Sequence, residues 1–246
     1  MIPRRIVENL KQHHWTGVFI ELAIVVLGVF IGMQVSNWNE ERRDRALAHQ
    51  YLVRLHEDFV LSIQDAESNI DSMEEQVRLA SLMVARLREC RLDDVQRADF
   101  ATGLYLLGRI EPQTMRRGTI DELRSTGRIG IIRNLKLRQE LSNIVQQQQR
   151  SAEVLGFIVA RRTPQIAYVD FRNTLFVPES GLDTSRPVTD QVAFDFPALC
   201  RDPAYINAVS HLQRAAGVVI GQNRALVEEY QAMVKMLDAE LRKEST

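Results

Sequence analysis

A carboxylate near the start of a long apolar run is the first residue of this 246-residue chain whose position suggests chemistry. This residue is Glu21. A carboxylate within a membrane-spanning helix is costly, so it commonly marks a pairing or proton-transfer site. The alternative places Glu21 at the level of the lipid head groups, close to Trp15, where its charge stays hydrated. The sequence leaves both interpretations open.

The other residue types that carry chemistry lack the spacing for it. His56-Glu57 does not continue into the H-E-x-x-H pattern of zinc proteases. The chain has no glycine-rich phosphate loop and no G-x-S-x-G motif. We therefore expect no metal, no cofactor and no enzymatic activity. The five histidines have no cysteines or carboxylates at metal-ligand spacing, and they are His13, His14, His49, His56 and His211.

The element that positions Glu21 is a helix of nearly bilayer length. Its uninterrupted apolar part is shorter than the roughly 20 residues that cross a bilayer. The wider segment, residues 17–38, reaches that length, and Trp15 and Trp38 bracket it where interfacial tryptophans belong. The sequence therefore predicts a transmembrane anchor at residues 17–38 after a short N-terminal tail, residues 1–16.

Two other interpretations of this segment compete with an anchor. A cleaved signal peptide would use Arg4, Arg5 and Lys11 as its basic region. Its first small-x-small cleavage pattern, residues 46–48, would then lie beyond the charged run of residues 39–45. A buried core helix would not need tryptophans at both ends. We favour an uncleaved signal anchor.

The same helix carries a small residue at every fourth position, Gly28, Gly32 and Ser36. Small side chains on one stripe let two helix backbones approach closely, which favours association of membrane helices. Glycine is also common in membrane helices in general. We predict a homo-oligomer held together by this stripe.

Composition indicates a helical domain after the anchor. Charged residues make up 26% of the chain and the net charge is −1, so no basic excess points to a nucleic-acid partner. Few aromatic residues, 12 Gly and 7 Pro suit helices better than sheets. The predicted fold class is all-α, with the transmembrane helix continuing into a long helix and an antiparallel, coiled-coil-like bundle over residues 39–246.

The two cysteines of the chain are Cys90 and Cys200. In an oxidising compartment they would form a disulfide between the end of the first long helix and the segment before the last one. Two separate thiols are an equally acceptable interpretation of the sequence.

Charge around the anchor gives little information on its orientation. Basic residues precede and follow the span in similar number, so the positive-inside rule shows no clear bias. A short tail before the span and a large body after it are typical of a signal anchor. We expect a single-pass protein of a bacterial inner membrane with its body in the periplasm.

The first long helix, about residues 39–90, has apolar residues at alternating steps of three and four. This is the a/d pattern of a coiled coil. The pattern predicts a seam that packs against another helix. The seam consists of Phe59, Ile63, Ile70, Met73, Val77, Val84 and Leu87.

A second long helix is predicted at about residues 203–243. It begins with Asp202 as its cap and Pro203 at its first helical position. The same steps of three and four recur along it, and Asn223 lies on the seam. A polar residue at such a position usually fixes helix register or partner number.

Shorter helices are predicted between the two long ones, in residues 96–173. One begins at Thr119 with a capping box in which Glu122 reaches back to the helix start. A longer one is capped by Asn134 and carries glutamines 146–149, which we expect to form a solvated face, with a buried amide layer as the less favoured alternative. Residues 177–199, rich in Pro and Gly, are the one long loop expected.

Two windows of the sequence resemble one bacterial family. Residues 20–42, with V-V-L-G-V-F-I-G-M-Q-V-S-N-W-N-E-E-R, are similar to the opening helix of an uncharacterised family of bacterial single-span membrane proteins, domain of unknown function 6090. Ser36 stands where that family usually has Asn, and Ile120 where it has an aromatic residue. The resemblance implies membrane attachment and a helical body, and it supplies no activity. The second window, similar to the family's T-Y-x-E-L-x-S-x-G run, comprises Thr119, Asp121, Glu122, Leu123, Ser125 and Gly127.

The run I-E-L-A-I-V-V is more weakly similar to the start of type IV pilins and pseudopilins. In that resemblance Gly17 would be the cleavage-site glycine and Glu21 the pilin glutamate. Glu21 is the fourth residue after Gly17, whereas pilins place it fifth. The charged run after the span and the helical body also differ from a pilin.

These observations together predict a membrane-anchored helical scaffold or interaction protein that self-associates through its transmembrane helix. Its expected partners are the lipid bilayer, further copies of itself and another membrane protein, with no nucleic acid. The main alternative is an extracytoplasmic ligand-sensing module that acts through a partner. A pilin-like subunit is the less favoured alternative.

Overall fold

The computed structural model describes residues 15–110, 115–175 and 191–244. Helices account for 88% of the structure, which confirms the all-α class. A 3-10 turn spans Arg128–Ile131, and two short strands, β1 Thr174–Leu175 and β2 Val192–Ala193, form an antiparallel pair. The helices in these ranges are α1 Trp15–Glu89, α2 Asp94–Leu106, α3 Gly118–Ser125, α4 Leu135–Arg172, α5 Phe196–Cys200 and α6 Pro203–Glu244.

The chain divides into two compact units, of which the first ends at Leu52. In that unit the apolar segment of α1 is exposed. Thirteen large apolar side chains between Phe19 and Trp38 are 57–73% exposed. Within the described ranges, α1 is the one helix long and apolar enough to cross a membrane, although a signal sequence passes the same test of length and composition.

In the second unit, from Val53 onward, α1 packs along α6 in the opposite direction. As the position falls from 81 to 56 along α1, the contacting position rises from 213 to 238 along α6. The position changes by 25 along each helix, in opposite senses, so the two helices are antiparallel. The contacts are Ser81 with Gln213 (2.6 Å), Glu74 with Arg224, and His56 with Asp238 (3.1 Å).

Helix α4 also runs antiparallel to α6, over nearly the whole of its length. Asn134 caps α4 by accepting the N–H of Leu137 (3.1 Å), as the sequence predicts. Helices α1 and α4 therefore share α6 as a common neighbour. The contacts between α4 and α6 are Asn134 with Glu240 (2.8 Å), Gln148 with Tyr230, and Arg172 with Asp202 (2.5 Å).

The apolar seam of α1 is covered by the chain's own helices. Phe59, Ile70, Met73, Val84 and Leu87 are buried, whereas the two remaining seam residues are half-buried. On the facing helix the seam that includes Asn223 is buried throughout. One cluster joins Ala66, Ile70 and Met73 to Ala216, Val219, Ile220 and Val227. The seam is therefore an intramolecular contact within the second unit.

The predicted loop over residues 177–199 is wrong in its last part, while its positions 177–190 lie outside the described residues. Helix α5 forms there because Asp195 accepts the N–H of Ala198 (3.2 Å) and Pro197 occupies the first turn, where its missing N–H does no harm. Phe196 packs edge-on against the buried ring of Phe100 at 5.4 Å between centroids. Tertiary packing thus orders a segment whose composition suggests a loop.

Candidate binding site in a basic groove

An open groove between α4 and α6 has a volume of about 570 Å³. Steps of three and four residues on both helices direct two matching rows of side chains into it. This volume is in the range of small-molecule sites in proteins. The α4 row is Phe157, Ile158, Arg161, Arg162 and Gln165, and the α6 row is His211, Arg214, Ala215 and Val218.

Positive charge is concentrated in this groove. Arg161, Arg162 and Arg214 line it together with His211, and none of the described lining residues is acidic. The three arginines make no ion pair with any carboxylate in the part of the chain that the structure describes. Other arginines of the second unit do pair, among them Arg54, Arg116, Arg172 and Arg224.

Arg162 is the least satisfied of these cations. Its Nε and Nη1 groups are shielded from solvent and have no hydrogen-bond partner among the described atoms. Burial lowers the pKa of its guanidinium, since no neighbouring negative charge compensates for the lost water. A buried donor without an acceptor is destabilising by about 1–3 kcal/mol, and by more when it is charged. An anion in the groove would relieve this cost.

The backbone beneath the arginines is unusual because Pro164 lies inside α4. Its ring nitrogen has no N–H, so the carbonyl of Ala160 lacks its normal helical donor. The side-chain amide of Gln165, with its nitrogen toward the backbone, donates to the carbonyl oxygens of Arg161 (2.8 Å) and Arg162 (3.0 Å). Gln165 therefore supports the helix where the two arginines arise.

The other part of the groove is apolar. The side chains of Phe157 and Val218 line it and are 64% and 48% exposed. A cationic part beside an apolar part is the arrangement expected for a ligand that carries an anionic group on an apolar body.

The residues predicted for the membrane helix lie on α1 in the first unit. Glu21 and Ser36 are exposed, and nothing lies within 4 Å of a side chain built at Gly28 or Gly32. Trp38 is exposed as well. The tail of residues 1–14 and the side chain of Trp15 lie outside the described residues. The small-residue stripe is thus open to lipid or to another helix.

The second family-like window forms α3, but the predicted capping box is wrong. No α3 side chain caps the helix. The N–H of Thr119 donates instead to the Asp58 carboxylate of α1 (3.3 Å), and Glu122 binds Arg54 of α1 (2.7 Å). Because α1 passes beside the start of α3, a tertiary contact takes over the role that the sequence assigns to a local one.

The rest of this window also has structural contacts. Leu123 is fully buried, and Gly127 ends the helix in the left-handed conformation (φ 69°) that glycine favours. Ser62 of α1 accepts the N–H of Arg116 (2.9 Å) just before α3. The window therefore attaches α3 to α1. Its two remaining members make local contacts, Asp121 with Arg117 (3.2 Å) and the Ser125 hydroxyl with the Glu122 carbonyl (3.2 Å).

Polar residues also lie inside the bundle. Asn223 is buried on the α6 seam, and its Nδ2 has no partner among the described atoms. The alignment of α4 with α6 puts the buried Ser151 at about the same level. Gln148 is buried too and donates to Tyr230, so the solvated face predicted for glutamines 146–149 is wrong at this position.

Cys90 and Cys200 are joined in a disulfide, with their Cα atoms 5.2 Å apart and 110 residues between them in sequence. Cys90 follows the last residue of α1, and Cys200 is the last residue of α5. The bond therefore ties the end of α1 to the segment just before α6.

Sequence analysis missed the basic groove. Arg161 and Arg214 are 53 positions apart, and only the antiparallel alignment of α4 with α6 brings them to one site. The available signal was the Arg161-Arg162 pair on a helix with few carboxylates around it. Across the described ranges, no group of three or more side chains is placed to hold a metal ion.

Comparisons with protein-family models, with curated proteins and with solved structures give no match. The two resemblances therefore stay predictions. The function has to be argued from the exposed apolar helix, the bundle and the basic groove.

Proposed function

We propose that this protein is a membrane-anchored helical scaffold or interaction protein, without enzymatic activity, held in a bacterial inner membrane by residues 17–38. One observation supports this best. The large apolar side chains between Phe19 and Trp38 are at least 57% exposed, whereas Phe59, Met73 and Leu87 on the same helix are 1% exposed. The apolar surface of the first segment therefore needs an external solvent or partner.

Lipid is the solvent that fits this surface. Burial of one large apolar side chain contributes about 1.5–3 kcal/mol, so leaving thirteen of them in water would be strongly unfavourable. Exposed apolar patches of this extent mark membrane or protein contacts. The apolar window has a mean hydropathy of 2.1, and Trp38 lies where an interfacial tryptophan is expected.

Self-association would use the stripe Gly28, Gly32 and Ser36. The seam from Phe59 to Leu87 is occupied by the chain's own helices. The stripe, in contrast, has open space at both glycines. Two copies would pack through these small residues, backbone against backbone.

A periplasmic body is supported by the disulfide between Cys90 and Cys200. Disulfides form and persist in oxidising compartments and are rare in the cytoplasm. Protease added to spheroplasts should digest the body while leaving the anchor. A body that is protected until the inner membrane is lysed would place it in the cytoplasm.

Self-association is tested with two differently tagged full-length copies expressed together. In mild detergent the wild-type copies should co-purify, and the double variant Gly28→Leu, Gly32→Leu should not. Ala23→Leu is the matched control, because it adds bulk five residues away on a different face of the helix. Equal recovery of wild type and the double variant would remove the stripe as the interface.

The groove between α4 and α6 favours a second candidate, an extracytoplasmic sensing module that acts through a partner protein. A saturable ligand that shifts the thermal unfolding of the full chain would favour sensing over a purely structural scaffold. A pilin-like subunit is less well supported, because the second unit is a helical bundle and the Gly17 to Glu21 spacing is one residue short.

A further inference from the structure

We propose that the groove between α4 and α6 binds a phosphate monoester, with the phosphate at Arg161, Arg162 and Arg214 and its apolar substituent against Phe157 and Val218. The proposal rests on the folded body and does not need the anchor to self-associate. It gives the sensing candidate its class of ligand.

The charge of the groove favours phosphate over a single carboxylate. Three guanidinium groups line it, with no acidic residue among the described lining residues to balance them. A phosphate monoester carries between one and two negative charges at neutral pH and offers three acceptor oxygens. Planar guanidinium groups match such an oxyanion in both charge and hydrogen-bond geometry.

The unpartnered donors of Arg162 show that the protein supplies no acceptor of its own. The Nε and Nη1 groups are buried and unbonded among the described atoms, although the side chain lines the groove. A rotation of this flexible side chain presents the donors to an oxygen in the groove. The bound phosphate then removes the energetic cost of the unpaired donors. An arginine with a purely structural role would instead have its acceptors within the protein.

The apolar part of the groove indicates that the phosphate carries an apolar substituent. Inorganic phosphate would fill only the cationic part and leave the exposed Phe157 ring and Val218 in water. A ring or short aliphatic chain next to the phosphate covers them and adds affinity through burial of apolar surface. The groove volume of about 570 Å³ is large enough for both parts.

Isothermal titration of the full-length protein in detergent tests the proposal, with phenyl phosphate as the probe. Phenyl phosphate should bind saturably, inorganic phosphate should compete for the same site with lower affinity, and phenol should not bind. Absence of saturable phenyl phosphate binding at millimolar concentration would overturn the proposal.

Substitutions locate the site. Arg162→Met and Arg214→Gln should each weaken phenyl phosphate binding by at least about tenfold, because each removes a charge-assisted hydrogen bond. Arg124→Gln, at an exposed arginine of α3, is the matched control and should leave affinity unchanged. Unchanged affinity in Arg214→Gln would overturn the proposal even if Arg162→Met failed to fold.

A second readout separates binding from a structural role of Arg162. In the absence of ligand, Arg162→Met should raise the midpoint of thermal unfolding, since it removes two buried donors that have no partner among the described atoms. A structural arginine would give a lower midpoint, which counts against the proposal.

The source of the phosphate is distinguished in nanodiscs. Discs of phosphatidylcholine alone should leave phenyl phosphate binding intact. If the natural ligand is a lipid head group, discs containing phosphatidic acid should abolish phenyl phosphate binding. If the natural ligand is a soluble phosphate ester, the same discs should leave phenyl phosphate binding unchanged.

Discussion

The side-chain amide of Gln148 on α4 donates a hydrogen bond to the phenol oxygen of Tyr230 on α6, and both side chains are buried. The Tyr230 ring also packs against Phe59 of α1, with 5.6 Å between ring centroids. Burial raises the pKa of the Tyr230 phenol, which therefore stays protonated at any physiological pH. One side chain thus contacts both helices that flank α6.

Tyr230→Phe should lower the free energy of unfolding by about 1–3 kcal/mol, because it leaves the buried Gln148 amide without its partner. The double variant Gln148→Met, Tyr230→Phe should recover most of this loss, since it removes both polar groups together. Urea unfolding followed by circular dichroism measures both effects. Tyr105→Phe, at a more exposed tyrosine, is the control. A Tyr230→Phe variant as stable as wild type would contradict the prediction.

Asp58→Ala should destabilise the protein by about 1 kcal/mol, within the usual range for loss of a helix cap. The reason is that Asp58 accepts the N–H of Thr119 at the start of α3. Glu122→Gln should have a smaller effect, about 0–1 kcal/mol, because its ion pair with Arg54 is solvent-exposed. Chemical denaturation ranks the two. A larger loss of stability in Glu122→Gln than in Asp58→Ala would contradict the cap by Asp58 and favour the capping box predicted from the sequence.

The stabilising effect of Asp202 should depend on pH. Burial acts to raise the pKa of Asp202, but hydrogen bonds from Tyr168 and from the backbone N–H groups of Tyr205 and Ala204, together with the charge of Arg172, outweigh it and lower the pKa. A lowered pKa in the folded state means that the carboxylate stabilises the fold fully above its unfolded pKa of about 4. This contribution is lost as the pH falls through the lower, folded value.

The measurement for Asp202 compares wild type with Asp202→Asn by urea unfolding as the pH is lowered from neutral into the acid range. Asn retains the acceptor that caps α6 through the N–H groups of Ala204 and Tyr205. It removes the charged oxygen that accepts from Tyr168 and Arg172, so the difference measures the charge together with these two bonds. Wild type should be more stable at neutral pH, and the gap should shrink in acid. A gap that stays constant over this range would show that ionised Asp202 has no net stabilising role.

Reduction of the Cys90–Cys200 disulfide should lower the free energy of unfolding by about 2–5 kcal/mol, since the bond closes a long loop in the unfolded chain. The double variant Cys90→Ser, Cys200→Ser should match the reduced protein and should not respond to dithiothreitol. Protein alkylated directly in cells should show no free thiol. Two free thiols in freshly lysed cells would argue against a periplasmic body.

Much of the fold follows from periodicity. The steps of three and four from Phe59 to Leu87 predict a packed face, and that face is buried against α6. Asp202 caps α6 as its residue type and the following proline suggest, accepting the N–H groups of Ala204 (3.0 Å) and Tyr205 (3.2 Å). Helical periodicity and capping by a neighbouring residue each depend on one short segment, so they can be predicted from the sequence alone.

Features that depend on a second segment were not predictable in the same way. The cap of α3 comes from Asp58, more than fifty positions away. The basic groove needs Arg161 and Arg214 to be brought together by the antiparallel pairing of two helices. Gln148 is an intermediate case. It continues the buried α4 row of Leu141, Ile144 and Val145 at helical spacing, a local signal of burial, although its residue type favours a solvated position.

Fractionation of cells that express the full chain tests the central proposal most directly. The protein should sediment with membranes, resist extraction with alkaline carbonate, enter solution with detergent and keep its intact mass of 28.2 kDa. Leu27→Arg with Ile31→Arg should release it, whereas Val95→Arg, an exposed apolar residue of α2, should not. A wild-type protein that stays in the supernatant without detergent, or that loses its first forty or so residues to a peptidase, would contradict the membrane anchor.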